Sequence, residues 1–370
     1  MQFAYTEEQD ALRESVRRFI AERAPLTATR SAMTTERGYD PELWAGLCEE
    51  LGLPAICIPE ELGGFGFGML ELSVVQEELG RGLVCSPFFS TVCLAVPALL
   101  AASDEVQERW LEAIAGGEST AAVAVVEADG RWEVDSVSAM ADTDDDGFVL
   151  FGTKCFVLDG HTADLLLVAA RRQGEVSLYA VPADAEGLTR TWTPSMDQTR
   201  RLATLTLDGV RVPSHARIGD GWSTIAAVHD RAVVALAAEQ VGVADTALEM
   251  AVDYAKVRKQ FGRAIGTFQA IQHKCADMLV AVETAKSAAM YAAWAADAAP
   301  DELPLAASQA GAWCSDAAFR CAADNLQIHG GIGFTWEHDA HLFFKRAQSS
   351  RQLLGSADAH RERFGARMGW

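Results

Sequence analysis

The sequence has few basic residues and no closely spaced cysteine pairs. Its 31 Lys and Arg stand against 52 Asp and Glu, which gives a net charge of −21. Binding nucleic acid or an anionic membrane requires a basic surface that displaces counterions, so this balance argues against both as partners. The eight cysteines contain no CxxC pair. Reduced core thiols are therefore expected, rather than disulfides or a zinc site.

Membrane and export signals are also missing. The longest apolar stretch, 92–102, is broken by Pro97 and is too short to cross a bilayer. The N-terminal MQFAYTEEQD lacks the basic and apolar regions of a signal peptide. A cytoplasmic location is therefore expected. With 370 residues, 49% of them hydrophobic, the chain can bury a large core and is long enough for two or three domains.

Hydrophobic periodicity divides the chain into three parts. Apolar residues at helical spacing predict helices over 6–22, 41–51, 69–79, 91–101 and 105–115. Alternation and β-branched residues then predict a mainly antiparallel β region over 119–221. Helical spacing returns over 222–260, from 268 onward, over 306–329 and around 343–344, which predicts an Ala-rich antiparallel four-helix bundle. We therefore predict an α+β protein with an N-terminal helical domain over 1–117, a central antiparallel β domain over 118–221 and a C-terminal four-helix bundle over 222–370.

Two acidic or histidine-containing segments could suggest a metal. The segment from Asp142 to Gly147 matches the front of an EF-hand loop, but the twelfth position is Thr153 and a strand follows, so an acidic hairpin turn is predicted. Glu337, His338 and His341 lie within about one helical turn without a further ligand. We interpret them as surface residues and predict no metal site.

Two short motifs carry most of the chemical information. RKQFG, beginning at Arg258, joins the two longest helices; alone, it would be a charged helix end with a glycine stop signal. QIHGGIGF, beginning at Gln327, would by itself be a helix C-cap, because glycine readily takes φ > 0. No strand precedes this second glycine cluster, so it is not a Rossmann or P-loop fingerprint.

At this distance from each other, the two motifs resemble those of the acyl-CoA dehydrogenase family. The resemblance extends over essentially the whole chain and implies an FAD-dependent enzyme in which one subunit contacts the FAD held by its neighbour. A guanidinium is a permanently charged bidentate partner for phosphate, and Gly-capped helix ends let the backbone approach a cofactor. The residues that the resemblance assigns to this contact are Arg258, Gln260, Phe261, Gln269, Gln327, Gly330 and Gly331.

The proton-accepting glutamate of the family is absent from this sequence. Its position corresponds to Leu354 in the turn 353–356 or, in some members, to Ala232. Neither side chain has a lone pair with which to accept a substrate α-proton. Asp230 and Glu239 lie on the same helix as Ala232 and are the candidate substitutes. Their alternative roles are an exposed helix-entry acid and an acid of a buried network or interface, respectively.

The half of the flavin site that a subunit supplies to its own FAD also departs from the family. Where the family has Thr-Glu-Pro and Gly-Ser-Asp, this sequence has Val126-Glu127-Ala128 and Arg-Trp-Glu at 131–133. Leu158 stands where the family has a threonine in the strand that lies against the flavin ring. Loss of these hydroxyls would leave polar ring atoms unpaired at about 1–3 kcal/mol each. A flavin bound by this chain's own β domain is therefore disfavoured.

One hypothesis accounts for this asymmetry. The chain would be the subunit without a base in a heteromeric acyl-CoA dehydrogenase, with a sister subunit supplying the glutamate and the flavin-ring pocket. An acyl-CoA would be the substrate and an electron-transfer flavoprotein the electron acceptor. The alternatives are a self-contained homotetramer with a relocated carboxylate base, and a flavin-free binding or scaffold protein on the same fold. The basic segment 345–367 is expected to be solvated, or to face a partner or the CoA tail.

Overall fold

The computed structural model describes residues 4–370. The helices in chain order are α1 (Glu7–Arg23), α2 (Leu26–Ala32), α3 (Pro41–Glu49), α4 (Met69–Arg81), α5 (Val96–Leu99), α6 (Asp104–Ala115), α7 (Trp222–Val257), α8 (Gln269–Ala298), α9 (Leu303–His329), α10 (Ala340–Leu353) and α11 (Ala357–Met368). The strands are β1 (Ala121–Ala124), β2 (Met140–Thr143), β3 (Gly147–Leu158), β4 (Leu165–Arg172), β5 (Glu175–Pro182), β6 (Leu188–Thr193), β7 (Leu202–Pro213), β8 (Arg217–Ile218), β9 (Lys259–Gln260) and β10 (Arg263–Ala264).

Contacts divide the chain into two compact units. The helical unit consists of residues 4–29, Met69–Val84 and Val233–Trp370. The β unit consists of Arg30–Gly68 and Cys85–Ala232. Helix α7 contributes residues to both. Among residues 4–370, no helix combines the length and the apolar character needed to cross a membrane.

Helix α1 begins where the sequence predicts it because Thr6 caps its first turn. The Thr6 hydroxyl accepts a hydrogen bond from the Gln9 N–H at 3.3 Å, and the Gln9 side chain accepts one from the Thr6 N–H at 3.0 Å. Arg13 and Arg17 then pair with the buried carboxylate of Glu78 in α4 at 3.0 and 2.7 Å. Thr6 and Gln9 thus form a capping box, and ion pairs join α1 to α4.

The backbones of α4 and α7 approach each other closely at Gly80. A β-carbon on Gly80 of α4 would lie 2.3 Å from the carbonyl oxygen of Glu239 in α7, so only glycine permits this contact. The Glu239 side chain forms a buried ion pair with Arg346 of α10 at 3.1 Å. The sequence favours solvated charge for the basic segment 345–367, and the structure corrects this in part. The end of the segment lies in α11, in which Arg361 pairs with Asp316 of α9.

The β unit contains one eight-stranded sheet with the strand order β6-β7-β3-β2-β4-β5-β8, and β1 pairs with β4 outside this path. Its pairings are antiparallel, as predicted, except that β1 and β2 each run parallel to β4. The central stretch Leu165–Ala169 is completely buried. The acidic segment forms the predicted hairpin turn between β2 and β3, with the Asp144 N–H donating to the Gly147 carbonyl at 3.1 Å.

Two predicted helices differ from the observed ones. The helix predicted over 222–260 ends at Val257, because the next residues form the short β9–β10 hairpin. The helix predicted over 91–101 is a π-helix at Phe89–Ala95 followed by the single turn of α5, which contains Pro97. Proline lacks the backbone N–H that a regular helix would use there, so the hydrogen-bond pattern changes near this residue.

Candidate cofactor-binding site

The segment after α7 is a tight two-residue hairpin. Gln260 pairs with Arg263, and the two residues between them have positive φ, +52° at Phe261 and +78° at Gly262. Positive φ at both central positions is typical of the type I′ hairpin turn, and it strains any residue other than glycine. The turn thereby presents the Phe261 ring to solvent, where 92% of the residue is exposed.

Arg258 immediately precedes this hairpin and is held by its backbone alone. Its N–H donates to the Tyr254 carbonyl at 2.9 Å, and its carbonyl accepts from the Ile265 N–H at 2.8 Å. Within residues 4–370 its exposed guanidinium forms neither an ion pair nor a side-chain hydrogen bond. In a chain of net charge −21, an unpaired arginine on a fixed backbone is well suited to bind a phosphate group.

The glycine turn after α9 exposes bare backbone. Gly330 has φ +63°, and a β-carbon built on Gly330 or Gly331 would meet nothing within 4 Å among residues 4–370. By contrast, Gly333 packs against His329, since an added β-carbon there would lie 3.0 Å from the His329 Cβ. The exposed side chain of Gln327 lies in the last turn of α9. The open backbone can therefore be approached closely by a ligand.

A ring contact brings the two motifs together. Tyr254 of α7 stacks on His329 of α9 with ring centroids 4.2 Å apart and planes 27° apart. Arg258 lies one helical turn after Tyr254, and the glycine turn begins directly after His329. The contact between Tyr254 and His329 therefore places Arg258 and the glycine turn near each other. Gln269 is the first residue of α8 and is exposed. All the residues assigned to the cofactor contact belong to the helical unit.

The sequence resemblance assigns the other half of a flavin site to segments of the β unit. In the structure, side chains of these segments are buried or bonded to one another, so we call this the closed half. Lys154 is fully buried, and its Nζ donates to the Val125 carbonyl at 3.1 Å and to the Glu127 carboxylate at 2.7 Å. Although burial acts in the opposite direction, hydrogen bonds from Lys154 and Ser138 lower the pKa of Glu127. Val126, which stands in place of a family threonine, is also buried. Glu127 is therefore committed to contacts within the β unit.

Trp132 stands where the sequence resemblance leads us to expect a serine. The indole is 9% exposed and lies 5.3 Å, centroid to centroid, from the ring of His229. Its neighbour Arg131 is paired with two acids, Asp129 at 3.1 Å and Glu133 at 3.0 Å. A large ring with carboxylates beside it does not fit a diphosphate, which needs a small hydroxyl residue and free positive charge at this point.

The two positions that the sequence resemblance assigns to the family base hold buried apolar side chains. Leu354 is 1% exposed at the end of α10, and Ala232 is completely buried in α7. Of the candidate substitutes, Glu239 is paired with Arg346. Asp230 is buried, whereas the sequence led us to expect an exposed acid, and its Oδ1 atom lies 3.7 Å from the Nδ1 atom of His229. Neither Leu354 nor Ala232 can therefore act as a carboxylate base.

The structure corrects the interpretation of the segment 337–341. His341 is not a surface residue; it is buried with its ring 4.8 Å from that of Trp336. Glu337 is exposed and His338 is half-buried against His329. No group of three or more His, Cys, Asp or Glu side chains in the described part of the chain is arranged to hold a metal ion.

Three sequence profiles match this chain in consecutive order. The N-terminal domain of acyl-CoA dehydrogenases matches residues 6–118, the middle domain matches 122–210 and the C-terminal domain matches 219–369. The chain belongs to the acyl-CoA dehydrogenase family and is an oxidoreductase of that class. The predicted family and fold are confirmed.

Relatives in both sequence and structure cover nearly the whole chain. The acyl-CoA dehydrogenase IpdE2 of Mycobacterium tuberculosis is 37% identical over 357 residues, covering 95% of this chain and 94% of that protein. The ChsE4-ChsE5 complex of the same species contains a chain that matches with a TM-score of 0.92 and 29% identity, covering 100% and 99% of the two chains. A variant of the steroid ACAD Tcur3481-Tcur3483 matches with a TM-score of 0.89 and 31% identity over 98% of each chain.

Proposed function

We propose that this chain is one subunit of a heteromeric, FAD-dependent acyl-CoA dehydrogenase. It donates one half of the FAD site, which we call the trans half, to a sister subunit that carries the base. The trans half consists of Arg258, Gln260, Phe261, Gln269, Gln327, Gly330 and Gly331. The observation that carries the proposal is the contrast between this exposed half and the closed half in the β unit.

The trans half has what a diphosphate requires. Arg258 offers a guanidinium without a competing carboxylate, and Gly330 and Gly331 offer open backbone next to it in the fold. Because the helix end and turn are already fixed by backbone hydrogen bonds, little ordering is needed when the cofactor binds.

Exposed apolar groups surround the trans half and support a subunit contact there. Large apolar residues are normally buried, and a concentration of exposed ones marks a surface that another protein covers. In the two motifs and the residues beside them, the exposed apolar side chains are Val257, Phe261, Ile332, Phe334 and Trp336. A sister subunit placed on this surface would cover them and bring its FAD to Arg258.

The closed half does not fit a flavin of this chain's own. Trp132 fills the serine position, and Glu127 is tied to Lys154. Val126 and Leu158, both buried, lack the hydroxyls that would hydrogen-bond the flavin ring. We therefore infer that the β unit of the sister, rather than that of this chain, holds the ring of the flavin.

The reaction is α,β-desaturation of an acyl-CoA thioester. FAD, when bound, supplies the acceptor for the hydride of the β-carbon. A carboxylate must accept the α-proton, and Leu354 and Ala232 cannot do so. The sister subunit therefore provides that carboxylate, and an electron-transfer flavoprotein takes up the electrons. Similarity to a two-protein complex and to a steroid ACAD supports a heteromer that acts on a bulky, steroid-like acyl group.

The geometry does not favour a relocated base within this chain. The Glu239 carboxylate is buried 3.1 Å from the Arg346 guanidinium, so it is committed to an ion pair within the helical unit. A self-contained enzyme with this base would also have to bind flavin at the closed half.

The test is to purify this chain alone and together with a co-expressed sister subunit, and to measure acyl-CoA-dependent reduction of an electron acceptor. We expect activity only in the co-purified pair. In that pair, Glu239→Gln should retain turnover in the fraction that remains folded by circular dichroism. Turnover by the lone chain that is lost in folded Glu239→Gln would establish the self-contained enzyme instead.

A further inference from the structure

His329 connects the two segments of the trans half, although neither motif assigns it a role. It is the last residue of α9, and its ring contacts two other rings. Tyr254 of α7 stacks on it at 4.2 Å, and the ring of His338, which precedes α10, lies 4.3 Å away at 50°. The ring is 6% exposed.

Hydrogen bonds fix the orientation of both imidazoles. The Nδ1 atom of His329 lies 2.9 Å from the backbone carbonyl of Asn325, which can only accept, so Nδ1 carries the proton. The Nδ1 atom of His338 accepts the N–H of Ala340 at 3.1 Å and is therefore unprotonated. The stack thus links the ends of α7 and α9 to the start of α10.

We propose that His329 is a positioning residue that holds Arg258 and the Gly330 turn in register for the cofactor through its ring stack. Arg258 follows Tyr254 by one helical turn and is hydrogen-bonded to it through the backbone. Gly330 follows His329 directly, and Gly333 packs on the Cβ atom of His329. Removing the ring would leave a gap between Tyr254 and His338, so the two segments could move independently. In its cofactor role this inference rests on the proposed function.

The experiment compares variants that keep a ring with variants that remove it. His329→Phe keeps a planar ring between Tyr254 and His338, whereas His329→Ala removes it; Tyr254→Phe and Tyr254→Leu form a second pair on the opposite side of the contact. In the lone chain, hydrogen exchange is measured over residues 254–268, where the N–H groups of Arg258 and Ile265 are hydrogen-bonded. In the co-expressed pair, the FAD dissociation constant is measured by flavin fluorescence.

We expect exchange over 254–268 at least fivefold faster in His329→Ala and Tyr254→Leu, and FAD bound at least tenfold more weakly. The two phenylalanine variants should stay within about twofold of the wild type. Unchanged exchange in both ring-removing variants would overturn the inference, as would equal losses in the phenylalanine variants. If exchange rises as expected but the wild-type pair holds no FAD, the proposed function fails while the positioning role in the fold stands.

Discussion

Arg258→Ala tests the trans half directly, because this side chain has no other function in the fold. Its guanidinium is exposed and unpaired within residues 4–370, so its removal should leave the thermal midpoint of the lone chain unchanged. A hydrogen bond between charged groups contributes about 1.5–3 kcal/mol. The FAD dissociation constant of the heteromer should therefore rise about ten- to hundredfold.

The assay is a fluorescence titration of the flavin-stripped heteromer with FAD at two salt concentrations. Arg258→Lys keeps the charge but loses the bidentate geometry, so it should fall between the wild type and Arg258→Ala. Arg320→Ala is the matched control, since this exposed arginine of α9 is paired with Asp277 at 2.9 Å. Arg258→Ala with the same affinity as Arg320→Ala would refute the assignment of the trans half.

Three further predictions concern the fold. Glu127→Gln leaves the buried Lys154 ammonium without its counterion, so it should lower the free energy of unfolding by about 3–5 kcal/mol. Urea denaturation measures this loss, and an unchanged midpoint would contradict the pairing. Gly80→Ala should lower the free energy of unfolding by about 1–3 kcal/mol, because its β-carbon would collide with the carbonyl oxygen of Glu239. Gly365→Ala, where the β-carbon meets open space, should be neutral or stabilising. Similar thermal midpoints for the two variants would argue against the close approach. Burial lowers the pKa of the His329 imidazole from its ordinary value of 6.5. Below about pH 6.5 the unfolded state therefore binds a proton that the folded state does not bind, so the folded state loses stability as the pH is lowered. His329→Phe should show a flatter dependence of the thermal midpoint on pH.

Local signals in the sequence predicted much of the fold. The Thr6 capping box defines the start of α1, and Gly330 defines the end of α9, because caps and stop signals act through neighbouring residues. Periodicity could not predict α11, whose ion pairs with α9 join residues far apart in the sequence. The same limit applies to His341, which is polar yet buried.

The candidate site was partly predictable for the same reason. The two motifs are contiguous in sequence, so Arg258 and Gly330 could be named, but their contact through Tyr254 and His329 depends on helix packing. Replacement of a serine by Trp132 could be read from the sequence, whereas its contact with His229 could not. The sequence thus identifies which residues stand at these positions, and the structure shows how their side chains pack.

Flavin content measured by absorbance against protein concentration tests the central claim most directly. The account predicts no FAD on this chain alone and one FAD for each pair of this chain with its sister. One FAD per subunit on the lone chain would contradict it, because that cofactor would have to be held by the half that Trp132 and the Glu127–Lys154 pair close.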